Sequence, residues 1–232
     1  MRRIGPDTLL PARRSIVTLT TADGLRLAGE LALPADREPS ATVVLLHPNP
    51  LGGGSMDTHL IRKAAARLPA LAGLATFRFN TRGTASESGA SEGEHGDGVT
   101  ERADVRAALD FVADLPAPWL AAWSFGTDLA LMHGCDPRVR GAVLMAPTLR
   151  RSSPEHLAAW AAAGKPVRCL VPEFDDYLRP PAARERFAAV PQAEVIEFTG
   201  AKHLFVGYAE EALDSLVELV APEVELPLPR HW

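Results

Sequence analysis

Two alternating runs open the chain. Residues 15–20 and 25–33 place an apolar side chain at about every second position, on either side of Ala22-Asp23-Gly24. A period of two lines one face of a pleated strand. Asp-Gly between two such runs favours a tight reversal, so the pattern predicts a β-hairpin. Residues 41–46, Ala-Thr-Val-Val-Leu-Leu, are continuously apolar, as suits a strand covered on both faces. Beyond them helical and strand patterns alternate. Helices are predicted over 56–68, 99–113, 154–163, 182–189 and 209–220, with another opening at about Asp128. Strands are predicted over 75–79, 115–123, 139–145, 167–171 and 194–198. Strand and helix in alternation after a hairpin predict an α/β fold: a mostly parallel central sheet with an antiparallel N-terminal hairpin and helices on both faces. Right-handed crossovers then gather the carboxyl ends of the strands along one edge, where a site is expected.

No repeat, linker or shift in composition marks a boundary. Residues 1–232 are therefore expected to form one domain, with a lead over 1–14 and a Pro-rich, loosely docked tail over 221–232. The longest irregular stretch, 81–98, is rich in Gly, Ser and Glu and is expected to be a mobile surface loop beside the site.

Composition narrows the function classes. With 47% hydrophobic and 23% charged residues, the chain has an ordinary globular make-up and the length for a sizeable core. A formal net charge of −5 argues against a nucleic-acid or anionic-membrane partner. The first residues are basic but lack an apolar run behind them, and no stretch is long enough to span a bilayer, so a cytoplasmic location is expected. Cys135 and Cys169 lie in apolar surroundings and are expected to be buried, reduced thiols. His59, His95, His133 and His156 show no metal-ligand spacing with one another or with the cysteines, so no metal is predicted. Gly52, Gly53 and Gly54 are contiguous and no Gly-Lys-Ser/Thr follows, so neither nucleotide fingerprint is met and no cofactor is expected.

The strongest chemical signal is Ala122-Trp123-Ser124-Phe125-Gly126. An apolar strand, a serine and a glycine opening a helix have the form of a nucleophile elbow. The positions two before and two after the serine must be small there, because strand and helix backbones nearly touch. Ser124 could instead be a plain helix N-cap. As a nucleophile it needs a base, and the base needs an orienting carboxylate. The loop after strand 167–171 carries Glu173, Asp175 and Asp176, with Asp175 the choice and the other two its rivals. His203 follows the last strand, which completes the order Ser, Asp, His. An oxyanion would need donors already in place. The backbone N–H of Phe125 is one. Asn49 is the best second, because Pro48 and Pro50 on either side of it have no N–H. His47 is expected to be structural, donating to a backbone carbonyl and shaping that loop. Arg78, Asn80 and Arg82 read either as a solvated strand end or as groups that order the loop beyond. Trp123, Phe125, Tyr177 and Leu204 are apolar candidates near the site.

Together these residues resemble a family. The run 47–57 (His-Pro-Asn-Pro-Leu-Gly-Gly-Gly-Ser-Met-Asp), Phe79-Asn-Thr-Arg-Gly, Ser91-Glu-Gly with Gly98 to Glu101 and Asp104, the elbow, and Gly-Ala-Lys-His-Leu-Phe-Val-Gly at 200–207 are similar to blocks of small bacterial α/β-hydrolases. The resemblance is to the dienelactone-hydrolase-like, lidless type and spans roughly 41–220. It implies the α/β-hydrolase fold, a Ser124–Asp175–His203 triad, and cofactor-free hydrolysis of a carboxylic ester or related acyl bond. Ala122 stands where glycine is usual, Pro172 and Glu173 depart from the pattern before the acid, and 83–91 looks expanded. Independently of the family, only residues 146–166 separate two predicted strands where lidded lipases insert a cap, so an open site for a small soluble acyl substrate is expected. A thioesterase, a peptidase, a dienelactone-type hydrolase and a non-catalytic hydrolase-fold binding module are the alternatives.

Overall fold

One eight-stranded sheet organises residues 2–232, the part of the chain that the computed structural model describes; Met1, the first residue of the lead, lies outside the described residues. The elements in chain order are β1 (Arg13–Thr20), β2 (Arg26–Leu33), β3 (Thr42–Leu46), α1 (His59–Ala72), β4 (Ala75–Phe79), β5 (Ala85–Ser86), β6 (Gly89–Ala90), α2 (Arg102–Phe111), β7 (Pro118–Trp123), α3 (Phe125–His133), β8 (Ala142–Met145), α4 (Pro154–Ala163), β9 (Val167–Phe174), α5 (Pro180–Phe187), β10 (Ala193–Lys202) and α6 (Ala209–Val220). The strand order is β1-β2-β4-β3-β7-β8-β9-β10. The first hairpin is antiparallel and β2 runs against β4, while every pair from β4 to β10 is parallel.

Alternation along the buried strands sorts the core into two layers. Val43 and Leu45 of β3, with Trp119, Ala121 and Trp123 of β7, pack under α1 and α6. Val44, Leu46, Leu120 and Ala122 face the opposite way, under α2, α3, α4 and α5. The continuous apolar run of β3 thus has a use for every side chain, as expected of a parallel strand covered twice. Successive βα units leave the ends of β3, β7, β9 and β10 on one edge, and that edge carries the site.

Three expectations need adjusting. Residues 81–98 do not form a free loop. They contain the β5–β6 hairpin and are tied down by Asn80, which is fully buried, donates to Ser86 Oγ (3.0 Å) and Gly89 O (2.8 Å), and accepts from the Met56 amide (2.9 Å). Arg78 reaches both oxygens of Glu30 and also Asp57, whose other oxygen accepts from the Ser88 amide (2.8 Å). Arg82 is clamped by Asp104 and Asp23. These three residues therefore order the segment rather than sit in solvent, and a buried ion pair of this kind is costly to break.

The tail has these contacts: the Arg2 amide donates to Trp232 O and the Ile4 amide to Arg230 O, both at 2.9 Å, and Asp214 accepts from the Leu228 amide and the Arg230 guanidinium. Both thiols are free, but Cys135 is only half-buried. β8 opens at Ala142 and not at residue 139: the Val139 amide closes the preceding turn on Asp136 O, and the Arg140 amide donates to Pro118 O at the start of β7.

Candidate active site

Ser124 sits at the sharp reversal between β7 and α3, with φ 54° and ψ −117°. A side chain in the left-handed region costs of order 1–3 kcal/mol, so the surroundings must impose it. They do so from both sides. The Ser124 amide donates to Met145 O on the neighbouring strand (3.0 Å), and the Ser124 carbonyl accepts from the Thr127 amide (2.9 Å). Gly126 has no freedom to be anything larger, since a Cβ there would stand 2.4 Å from Leu46 O and 2.8 Å from His47 O. Ala122, where glycine was the commoner expectation, is fully buried opposite Leu46, and its methyl group is accommodated in the core.

Three side chains far apart in sequence meet above this turn. His203 Nε2 lies 2.8 Å from Ser124 Oγ, and His203 Nδ1 lies 2.8 Å from Asp175 Oδ2. Because a carboxylate oxygen only accepts, Nδ1 carries the proton and Nε2 is left with a lone pair aimed at the serine hydroxyl. The other oxygen of Asp175 accepts from the amides of Tyr177 (2.7 Å) and Leu178 (3.0 Å). Asp175 is thus buried and saturated, with one oxygen for the backbone turn and one for the imidazole. Its rivals are elsewhere: Glu173 accepts from the Gly200 amide (2.7 Å) and Asp176 is exposed.

The loop after β3 forms the opposite wall. Asn49 caps a short 3-10 turn, with its side-chain oxygen accepting from the Leu51 amide (3.1 Å) and its carbonyl from the Gly52 and Gly54 amides. Among the described residues, the backbone N–H of Asn49 and that of Phe125 donate to no protein acceptor. Asn49 borders the cleft holding Ser124, and Phe125 follows the serine directly.

His47 fixes the loop from beneath: Nδ1–H donates to Pro48 O (2.7 Å), and Nε2 accepts from the Thr81 amide (3.0 Å). Burial holds its pKa down to about 4. An unfolded chain would take up a proton near pH 6.5, whereas the folded one resists until about pH 4. Stability from this group is therefore complete above pH 6.5 and is lost as pH falls toward 4, by about 3 kcal/mol at 1.36 kcal/mol per pKa unit. Urea midpoints should fall between pH 7 and pH 4.5, and fall less in His47→Gln. His59 and His133 are lowered by burial as well, so the difference between the two proteins isolates the share of His47.

Two ring N–H groups that the sequence did not flag hold the histidine loop. Trp123 Nε1 donates to His203 O (3.2 Å), and His59 Nε2 lies 2.7 Å from Leu204 O. The two rings meet edge to face at 5.1 Å. Trp123 stood out only as an apolar residue beside the serine; its donor role needs the position of β10, which local pattern does not give. Phe125 is buried and receives the Arg151 guanidinium over its ring (4.9 Å), while Tyr177 packs on His203 with centroids 4.6 Å apart.

The cleft, of about 200 Å³, is lined by Pro48, Asn49, Gly52–Gly54, Thr58, Trp123, Ser124, Tyr177, His203 and Leu204. Between β8 and β9 the chain has only α4, so no inserted domain covers it. A larger groove of about 560 Å³ between α2, α3 and α4 shares no residue with it. Of its polar groups, Asp136 is held by Arg138, His133 by Gly98 O and Arg106 by Asp110. Among the described residues, no group of three or more His, Cys, Asp or Glu side chains could hold a metal ion, and no helix is long and apolar enough to cross a membrane.

No protein-family model matches the chain, and no curated protein does. Solved structures do. A serine hydrolase without a lid from Xanthomonas campestris, XC6422, is 22% identical with a TM-score of 0.75, covering 95% of this chain and 99% of that one. An alpha-beta serine hydrolase homologue from Coxiella burnetii is 26% identical with a TM-score of 0.73, over 89% and 97%. The Pyrococcus furiosus esterase Pf2001 is 17% identical with a TM-score of 0.75, over 97% of each chain.

Proposed function

We propose that this chain, a small lidless α/β hydrolase by fold, is a serine hydrolase that cleaves a carboxylic ester of a small soluble substrate through an acyl-enzyme. The observation that carries the reading is the hydrogen-bonded chain from Ser124 Oγ through both nitrogens of His203 to Asp175. In this mechanism Oγ attacks the ester carbonyl as Nε2 takes its proton, and Asp175 stabilises the imidazolium that forms. The unpaired N–H groups of Phe125 and Asn49 receive the charge that develops on the carbonyl oxygen. The imidazolium then protonates the departing alkoxide. A water molecule, losing its proton to Nε2, attacks the acyl-enzyme and releases the acid.

Ester rather than another acyl bond is favoured by analogy with the esterase of Pyrococcus furiosus. A non-catalytic binding module would have no need to hold a serine in left-handed backbone against an oriented imidazole. A fluorophosphonate probe is expected to form a single covalent adduct on Ser124 and none on Ser124→Ala. A folded wild-type protein that resists the probe would overturn the reading.

A further inference from the structure

The cleft has two unlike sides. Gly52, Gly53, Gly54, Asn49 and Thr58 form a small, polar side. Tyr177 and Leu204 form the other, on the flanks of the imidazole: the Tyr177 ring leans on His203 at 4.6 Å, and Leu204 is the next residue in the chain. Both line the cleft, yet they stay 51% and 57% exposed. Singly exposed apolar residues are common on any surface. These two share one mouth.

They are also held in place. Leu204 O is bonded by His59, the Tyr177 amide is bonded by Asp175, and the Arg150 guanidinium lies 5.6 Å over the Tyr177 ring. An apolar ledge on fixed backbone has already met the ordering cost of binding.

Resting on the serine-hydrolase reading, we infer that this ledge receives the alcohol portion of the ester, and that the protein selects esters of apolar alcohols, aromatic or aliphatic, carrying a short acyl group. The proton that His203 takes from Ser124 must return to the leaving oxygen, so the alcohol departs along the imidazole, the ring that Tyr177 packs against and that Leu204 follows in the chain. The acyl group is left to the glycine-lined side. That part belongs to a cleft of about 200 Å³, below the roughly 300–1,000 Å³ of ligand pockets in general, and Gly52 and Gly53 are exposed, so a longer acyl chain would run into solvent and gain no contact.

The test varies each half of the ester separately. Methyl, butyl and benzyl acetate change the alcohol alone, and methyl and benzyl alcohol have closely similar acidity. Methyl acetate, butyrate and octanoate change the acyl group alone. Expected is a kcat/KM for benzyl acetate about tenfold or more above that for methyl acetate, with no gain along the acyl series. Tyr177→Ser and Leu204→Ser should each cut the benzyl-to-methyl ratio severalfold. The deacylation rate, common to all acetates, should stay the same whichever alcohol has left. A ratio near one, or a preference that climbs with acyl length, overturns the inference. Labelling of Ser124 with a flat alcohol series overturns it alone. Failure of a folded protein both to label and to hydrolyse any ester overturns the catalytic reading and the inference with it.

Discussion

Replacing Asp175 with asparagine is expected to lower kcat by about 10⁴-fold while leaving the fold intact. The size of the effect follows from what already binds the carboxylate. One oxygen is committed to the amides of Tyr177 and Leu178, which can only donate. An asparagine must keep its own oxygen on that side and turn its NH₂ toward His203. The imidazole then accepts at Nδ1, its proton moves to Nε2, and Nε2 can no longer take a proton from Ser124. Geometry survives and the tautomer is wrong. Turnover of p-nitrophenyl acetate, with melting temperature as the control, measures this directly. Near wild-type turnover would move the acid to Glu173 or Asp176 and imply a rearranged loop in the working enzyme.

Ser124→Ala is expected to be more severe, about 10⁶-fold in kcat, because the attacking atom is gone. The residue left behind keeps the Asp175–His203 pair and the free N–H groups, so turnover should remain above the uncatalysed rate. Adding His203→Ala to Ser124→Ala should cost little more, since groups that act as one unit are far from additive. Independent, multiplying losses would mean that the two residues do not work together.

Much of this arrangement was legible before the structure. The period-two runs gave the hairpin, the doubly apolar run of β3 gave a central strand, and α4 and α6 have the predicted bounds. The elbow was readable because Gly126 answers a local demand, the near contact of its Cα with the carbonyls of β3 and the residue after it. The carboxylate that meets His203 was less so. Three carboxylates stand within four positions, and what separates them is which one the turn buries, a matter of backbone direction that composition does not encode.

The segment 81–98 was misread for a related reason. Its Gly, Ser and Glu content suggests a solvated loop; Arg78, Asn80 and Arg82 were open to a reading as groups that order it, but the carboxylates that decide the matter, Asp57, Asp104 and Asp23, lie on or beside other elements and become visible only when those are side by side. The partners of the tail, Asp214 and the first residues of the chain, were equally out of reach of local pattern. Long-range polar pairing leaves little trace in a one-dimensional pattern.

With only α4 between β8 and β9, nothing inserted at that crossover stands between the serine and bulk solvent. An acylated Ser124 would then meet whatever nucleophile the medium supplies, water being only the most abundant. Added alcohol would compete for the same intermediate, dividing its fate between free acid and a new ester. On the proposed mechanism, an unroofed site of this kind would serve transfer as well as hydrolysis, with solvent composition setting the balance.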